Sequence, residues 1–540
     1  MLRLRSCASF AIFILSAAFF ALLQTRQYLA VDGATRCVFI YWHRTPVLGR
    51  NNHLFYFVNV YIWTHILSLA AIRATNVFIF IHLAQWMNAL AAAGCVSLLF
   101  VLCRSASNSA SAGLASSLMY PFSNAFLLHA TSSAEPVVGL FWSILSISAV
   151  ASGLATSSPL RLFVGGALLA LAMGTYESMV LIGPAEVLLI LYWDELDITS
   201  NRALLVRFLA GCILGGIAVY VPAYAISGTT NPASMLRRFL RTGGGQQIFG
   251  GFRLSRLINL PIGFANSVVA TVPTGYHGIR WLFRTYRFDS TTISILMILL
   301  TAGVWTAWTV HRVMLVWDSL RRRQQLILKC CAVALAFDLA ALLYWDPIYD
   351  KLWLQPLAVV FLAWSIMFAT WRRLLRPRLM LIPEALLLIV ILGTGFARAL
   401  RAHQSPTPCL DGAGDVAAVL QPGDLLVSGW DPVSVLYNAF YDRQVTQFDL
   451  ISIASNNGPN TMRILGDAIA GTRARGGRVY FLGLLDMPKY RWKPFVGDRV
   501  HLSYRSLDQI RECANPVAKL LCASGHEETL WRLPRHCSKR

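Results

Sequence analysis

Apolar runs of about 20 residues recur through the first three quarters of this chain, each long enough to cross the ~30 Å hydrocarbon core of a bilayer as a helix. With 56% hydrophobic and only 14% charged residues, a chain of 540 residues built this way is not an ordinary soluble enzyme. The reading is a polytopic α-helical membrane protein with about eleven transmembrane helices. Their approximate cores are 9–28, 77–103, 109–128, 136–153, 161–176, 178–193, 205–227, 291–314, 327–344, 354–371 and 379–397, the third and fifth being short or weakly apolar.

The first run has a basic start, Met1-Leu-Arg-Leu-Arg5, but no convincing small-x-small cleavage site precedes Asp32 and more spans follow, so a retained first helix is expected. The formal charge of +21 does not imply nucleic acid. In a membrane protein, cytoplasmic-loop Lys and Arg facing anionic headgroups explain such an excess. Placing the N-terminus in the cytoplasm puts Arg3 and Arg5, Arg104, Arg161, Arg202 with Arg207, Arg321-Arg-Arg323 with Lys329, and Arg372-Arg373 on one face. The opposite face then holds Asp32–Arg73, the turns near Glu135 and Glu177, the 228–290 loop, Asp346–Lys351 and everything after about Ala399. The 228–290 loop strains this assignment with eight arginines, among them Arg237, Arg238 and Arg256. Either the topology differs there or these arginines meet anions.

The Asp32–Arg73 loop carries His43, Arg44, Arg50 and His53 beside the aromatic run His53–His65, which suits a helix lying at the membrane surface. After Arg401 the composition changes. Half of the acidic residues, 13 of 26, lie between Asp411 and Glu528. Residues 401–540 read as a small extracytoplasmic α/β domain after a membrane domain over 1–400. Strands are expected at Asp424–Gly429 and Arg478–Gly483, and helices at Asp431–Asp442 and Gly458–Arg475. The eleven cysteines show no metal-ligand spacing. Cys409, Cys513, Cys522 and Cys537 can pair if their domain is extracytoplasmic, with the connectivity open. Cys95, Cys103, Cys212, Cys330 and Cys331 fall in or beside apolar runs as core residues.

Carboxylates are the informative residues, because they are scarce and costly in this setting. Glu186, Asp338 and Glu384 fall within or at the edges of spans, where each is functional, protonated or paired with a neighbouring helix. Asp32, Glu135, Glu177, Asp289, Asp346 and Asp350 sit at the outer ends of spans.

All of these but Asp289 recur at corresponding points of a known superfamily. The chain resembles the GT-C glycosyltransferases, and more closely their bacterial mannosyltransferase-like and RgtA/B/C/D-like members. The resemblance rests on an Asp after the first helix, Asn51-Asn-His-Leu-Phe-Tyr56 at the entry to a surface helix, and Thr131-Ser-Ser-Ala-Glu-Pro136 in the second outer loop. Gly174-Thr-Tyr-Glu177 and Tyr344-Trp-Asp-Pro-Ile-Tyr-Asp-Lys-Leu-Trp353 complete it, together covering about 400 residues.

It implies an integral protein of the bacterial inner membrane that moves a sugar from a polyprenyl-phosphate donor to an extracytoplasmic glycan, lipid or protein acceptor. Asp32 would be the general base for the attacking group, its alternative role being an interfacial cap beside Arg26 or Arg36. Glu135 and Glu177 would position the acceptor or ligate a divalent metal (Mg or Mn), or else cap their helix ends. Arg50, His53 and Lys351 are candidate partners of the leaving lipid phosphate, beside Asp346 and Asp350. No Gly-rich phosphate loop is present, which fits a lipid-linked donor rather than a nucleotide sugar. Many relatives carry two adjacent acids in the first outer loop. Here Gly33 and Ala34 follow Asp32, which counts against paired metal ligation from that loop. A transporter or flippase of lipid-linked sugars is the first alternative, and a non-catalytic scaffold with a C-terminal binding domain the second. A transporter would show midplane polar sites on broken helices and an internal two-fold repeat.

Overall fold

The computed structural model describes residues 2–25, 54–193, 198–226, 255–269, 313–345, 349–374, 381–404, 409–429, 432–441, 445–450, 460–487, 504–521 and 527–535, with isolated positions between them. The chain divides into two compact units, a helical one reaching Gln404 and a second formed mainly by Ser405–Arg540.

The helical unit opens with α1 (Leu2–Leu22), α2 (Leu54–Leu69), α3 (Val77–Ser107), α4 (Ala110–Phe122) and α5 (Asn124–Ala130). It continues with α6 (Glu135–Ala155), α7 (Pro159–Thr175), a 3-10 turn at Glu177–Ile182, α8 (Gly183–Tyr192), α9 (Ile198–Ile226) and α10 (Ser255–Val269). Then come α11 (Arg322–Trp345), a 3-10 turn at Asp350–Trp353, α12 (Leu354–Leu374) and α13 (Leu381–Gln404). Six of these are long and apolar enough to cross a membrane, and shorter apolar helices accompany them, which makes the chain an integral membrane protein.

Local chemistry sets the ends. The Asn76 side chain accepts from Ile79 N at 2.9 Å to open α3, and Asn108 closes it in the left-handed region at φ 53°. Ser109 caps α4, and Ser158 followed by Pro159 opens α7.

Two predicted spans are broken. The 109–128 run splits into α4 and α5, because Pro121 withdraws a backbone donor and Ser123 turns extended at ψ 141°. The 178–193 run begins as a 3-10 turn and becomes α-helical only at Gly183-Pro184, where proline fits the first helical turn. Of the 291–314 run only isolated positions fall within the described residues. A helix forms over the expected aromatic stretch, as α2.

Helices α7 and α9 make the closest approach. A Cβ on Gly166 would lie 2.0 Å from the Phe208 carbonyl oxygen, and one on Gly211 would lie 2.0 Å from that of Phe163. Such small-residue seams let helix backbones meet where lipid offers no hydrophobic drive for association. Gly166→Leu is therefore expected to force the pair apart at a cost of roughly 1–3 kcal/mol or more. Thermal unfolding of the detergent-purified chain checks this, and an unchanged midpoint would refute the tight seam.

The second unit carries α14 (Leu410–Val419), β1 (Leu425–Ser428), α15 (Pro432–Phe440), β2 (Thr446–Asp449), α16 (Thr461–Ala474) and β3 (Val479–Leu482), then α17 (Tyr504–Cys513), β4 (Asn515–Leu521) and β5 (Glu527–Leu533). The sheet order is β2-β1-β3-β5-β4. β1 pairs in parallel with β2 and β3, while β5 runs antiparallel to β3 and β4. β1 and β3 are buried at every position, as their unbroken apolar runs require when helices cover both faces. The Asp424 carboxylate ties their entry points together, accepting from Gln421 N at 2.9 Å and Arg478 N at 2.8 Å. Cys409 and Cys513 are disulfide-bonded. In the helical unit Cys95, Cys103, Cys330 and Cys331 are buried free thiols, while Cys212 is half-buried.

Candidate functional site

The turn Thr131–Ala134, between α5 and α6, is the most heavily anchored piece of backbone on the face opposite Arg104, Arg161 and Arg372. Asn88, buried within α3, donates through Nδ2 to the carbonyls of Ser132 at 2.8 Å and Ala134 at 2.6 Å. The Tyr56 hydroxyl of α2 donates to Ser133 O at 2.5 Å. Thr25 N, just past α1, donates to Thr131 O at 2.9 Å, and Gln85 Nε2 donates to Thr25 O at 3.0 Å. Thr25 Oγ1 also donates to Ala402 O at 3.2 Å, which ties the end of α13 to the same place. The bonds from Asn88, Tyr56 and Thr25 satisfy carbonyls that would otherwise be stranded where α5 stops.

Two polar groups flank this turn. On the α6 side Glu135 is the first helical residue, only 1% exposed, where the helix dipole favours negative charge. Glu177 starts the 3-10 turn that follows Tyr176. Gly139, one turn beyond Glu135, lets that segment in: a Cβ there would lie 2.8 Å from Tyr176 Cβ. Glu177 also interacts electrostatically with Tyr220 of α9, which stacks obliquely on Tyr224 at 5.9 Å. The structure thus brings the ends of α6, α7 and α9 together around two carboxylates and two tyrosines.

On the α5 side stands a cluster that combines His129, Asp350, Arg398 and Asn124. His129 Nε2 lies 3.4 Å from Asp350 Oδ1, and the histidine is 6% exposed. Arg398 of α13 donates to Asn124 Oδ1 and interacts electrostatically with Asp350. Asn124 in turn donates through Nδ2 to Asn266 O of α10 at 2.7 Å. Trp353 Nε1 closes the Asp350 turn by donating to Pro347 O at 2.7 Å, and its ring meets Phe264 of α10 edge-on at 5.6 Å. Lys351 is half-buried on the same turn.

These contacts put α10 on the face that carries Asp350. Arg256, from the loop whose arginines sat awkwardly in the topology, is buried and donates to the carbonyls of Leu343 and Tyr344. The guanidinium there satisfies orphan carbonyls at the negative end of α11. Arg256→Met is expected to lower stability by roughly 1.5–3 kcal/mol, the worth of hydrogen bonds from a charged donor. Chemical denaturation of the purified chain measures this, and a shift below half a kcal/mol would contradict it.

Of the sequence-derived candidates, Glu135 and Glu177 border one side of the Thr131–Ala134 turn and Asp350 and Lys351 belong to the other. Asp32, Arg50, His53 and Asp346 lie outside the described residues, as do the remaining arginines of the 228–290 loop. Sequence reasoning passed over His129, Asn124, Arg398 and Asn88, and read Tyr56 only as part of an aromatic run. Two of them gave a signal: Asn88 is, with Gln85, one of two amides in a long apolar run, and Arg398 directly follows one. The intramembrane acids Glu186 and Asp338 are each held from a neighbouring helix, by Ser146 Oγ at 2.7 Å and by Gln355 Nε2 at 3.1 Å. Among the described residues no group of three His, Cys, Asp or Glu is arranged to hold a metal ion.

No family model matches the chain, and no curated relative matches it. Among solved structures it is similar to the crystal structure of ArnT from Cupriavidus metallidurans bound to undecaprenyl phosphate. The two are 12% identical, with a TM-score of 0.41 over 100% of this chain and 99% of that one.

Proposed function

We propose that this chain is a GT-C-type glycosyltransferase that takes a sugar from a polyprenyl-phosphate donor and passes it to an acceptor outside the cytoplasm. The observation that carries the reading is the convergence on one face of the membrane domain: buried Glu135 on one flank of a clamped turn, and Arg398 with Asp350 and His129 on the other. Ionisable side chains are costly among spanning helices and persist where they serve a reaction or a ligand. The resemblance of the outer-loop motifs to the superfamily supplies the reaction class.

In this reading Asp32 takes the proton of the attacking acceptor group as the bond from the anomeric carbon to the lipid phosphate breaks. Negative charge nearby favours the oxocarbenium-like transition state. Arg398 and Lys351, with Arg50 and His53, receive the departing phosphate through charge-assisted hydrogen bonds. Asp350 and Asn124 hold Arg398 in place, which leaves less side-chain entropy to lose on binding. Asp346 acts beside Asp350 in this reading, and Glu135 and Glu177 orient the acceptor from the other flank. The disulfide-bonded cysteines of the C-terminal unit support an oxidising compartment for it, and there it would bind the acceptor. Mg or Mn dependence is a separate question, answered by assaying transfer with and without a chelator.

Mass analysis of envelope glycans from cells with and without this chain tests the activity. One glycosyl residue should disappear from an extracytoplasmic glycan, lipid or protein when the chain is absent. Identical glycan profiles would reject the proposal.

A further inference from the structure

A second feature of the helical unit lies towards the opposite face. A cavity of about 610 Å³ runs between α3, α6, α8, α11 and α12. Along α6 its lining extends from Leu140 to Ala155, or ~22 Å of helix. That is about three quarters of a ~30 Å hydrocarbon core. Its walls are aliphatic, including Leu99, Ile147, Leu189 and Leu362.

The two ends differ. At the mouth stand Arg321, Arg322 and Arg323, all exposed, together with Trp193, over whose ring the Arg323 guanidinium lies at 4.8 Å. Gln324 Nε2 donates to Ala106 O at 3.1 Å and fixes this end of α11 against α3. At the far end are Ser143, Glu186 and Gln355. Ser143 Oγ, Glu186 Oε2 and Gln355 Oε1 are buried and have no hydrogen-bond partner among the described residues.

We infer that this cavity binds one acyl chain of an anionic phospholipid from the leaflet on the basic face, with the lipid's phosphate on Arg321–Arg323. Three observations converge on that occupant. An aliphatic lining favours hydrocarbon over water. A triple arginine beside an aromatic ring suits a phosphate at the membrane interface, where juxtamembrane arginines attract anionic headgroups. The volume equals about 20 times the ~30 Å³ that a water molecule occupies in the liquid, the bulk of one acyl chain rather than of a polyprenyl chain. The polar far end sets the limit of depth, because hydrocarbon pressed against those atoms would keep them from water. This site is separate from the sugar-transfer reading and does not depend on it.

The test uses the full chain in nanodiscs of phosphatidylcholine with a minority of phosphatidylglycerol, with retained lipid counted by native mass spectrometry after transfer to detergent. Wild type should keep one phosphatidylglycerol per chain, with at least a tenfold preference over phosphatidylcholine. Two changes should each reduce that retention at least tenfold: Arg321→Ala combined with Arg322→Ala and Arg323→Ala, and Ala151→Phe, which fills the cavity from α6. Val359→Phe fills it from α12 and serves if the Ala151 variant does not fold, with size-exclusion profiles reporting folding. Retention lost with the arginines but kept by a folded plugging variant would overturn the proposal, since the lipid would then sit only on the surface. Displacement of the phosphatidylglycerol by an equimolar polyprenyl phosphate would overturn it as well.

Discussion

Asp32→Asn is expected to reduce glycosyl transfer by roughly 10²–10⁴-fold, the usual contribution of a positioned general base. The substitution keeps the size and shape of the side chain and removes its capacity to take a proton. Asp32 is the one carboxylate between Ala8 and Glu135, so no nearby acid in the sequence can substitute for it. The loss should fall on kcat, because the base acts as the acceptor attacks and contributes little to holding the donor. Thermal stability should stay within about 0.5 kcal/mol of wild type, because the two side chains match in size and shape. Undiminished transfer by a folded Asp32→Asn protein would remove this residue from the mechanism and shift attention to Glu135 and Asp350.

Arg398→Met should weaken kcat/KM by roughly 10²–10³-fold, comparable to deleting one donor to a developing anion. The guanidinium is held by Asn124 and faces Asp350, so its position is set before any ligand arrives. Methionine keeps much of the length and the apolar stem while deleting the charge. Some stability will also be lost, about 1–3 kcal/mol, because Asn124 Oδ1 loses its donor. The conservative Arg398→Lys separates the two roles. Lysine restores the charge without the planar fork, so it should recover part of the activity while leaving the Asn124 bond imperfect. Arg398→Lys activity as low as that of Arg398→Met, with full recovery of stability, would mean that Arg398 only braces α5 against α13.

Much of the membrane domain was legible because hydrophobic length is written directly in the chain. Val77–Ser107, Glu135–Ala155, Arg322–Trp345 and Leu354–Leu374 follow from apolar runs with polar ends. The strands β1 and β3 were legible for a similar reason, as short apolar runs bounded by Asp or Arg and by Gly. The breaks were harder to read. Pro121 sits in a run whose hydropathy continues past it, and only the extended backbone at Ser123 decides that α5 is a separate helix.

The candidate site was legible in part. Scarcity pointed to Glu135, Glu177 and Asp350, since an acid at a helix end stands out in an apolar sequence. Arg398 and His129 did not stand out, because they meet Asp350 only after α5, α13 and the Asp350 turn converge, His129 from 221 residues away in sequence. Arg256 shows the reverse case. As a charge it stood out as a candidate partner for an anion, and the fold adds hydrogen bonds to the backbone carbonyls of α11.

The most direct measurement is release of polyprenyl phosphate from a labelled polyprenyl-phosphate sugar by the purified chain in lipid vesicles, with a membrane-envelope extract as acceptor. Wild type should release the lipid phosphate in step with label appearing in the acceptor, and Asp32→Asn should release almost none. No release by a folded wild-type chain across donors of differing sugars, or equal release by both proteins, would contradict a sugar-transfer reaction based on Asp32.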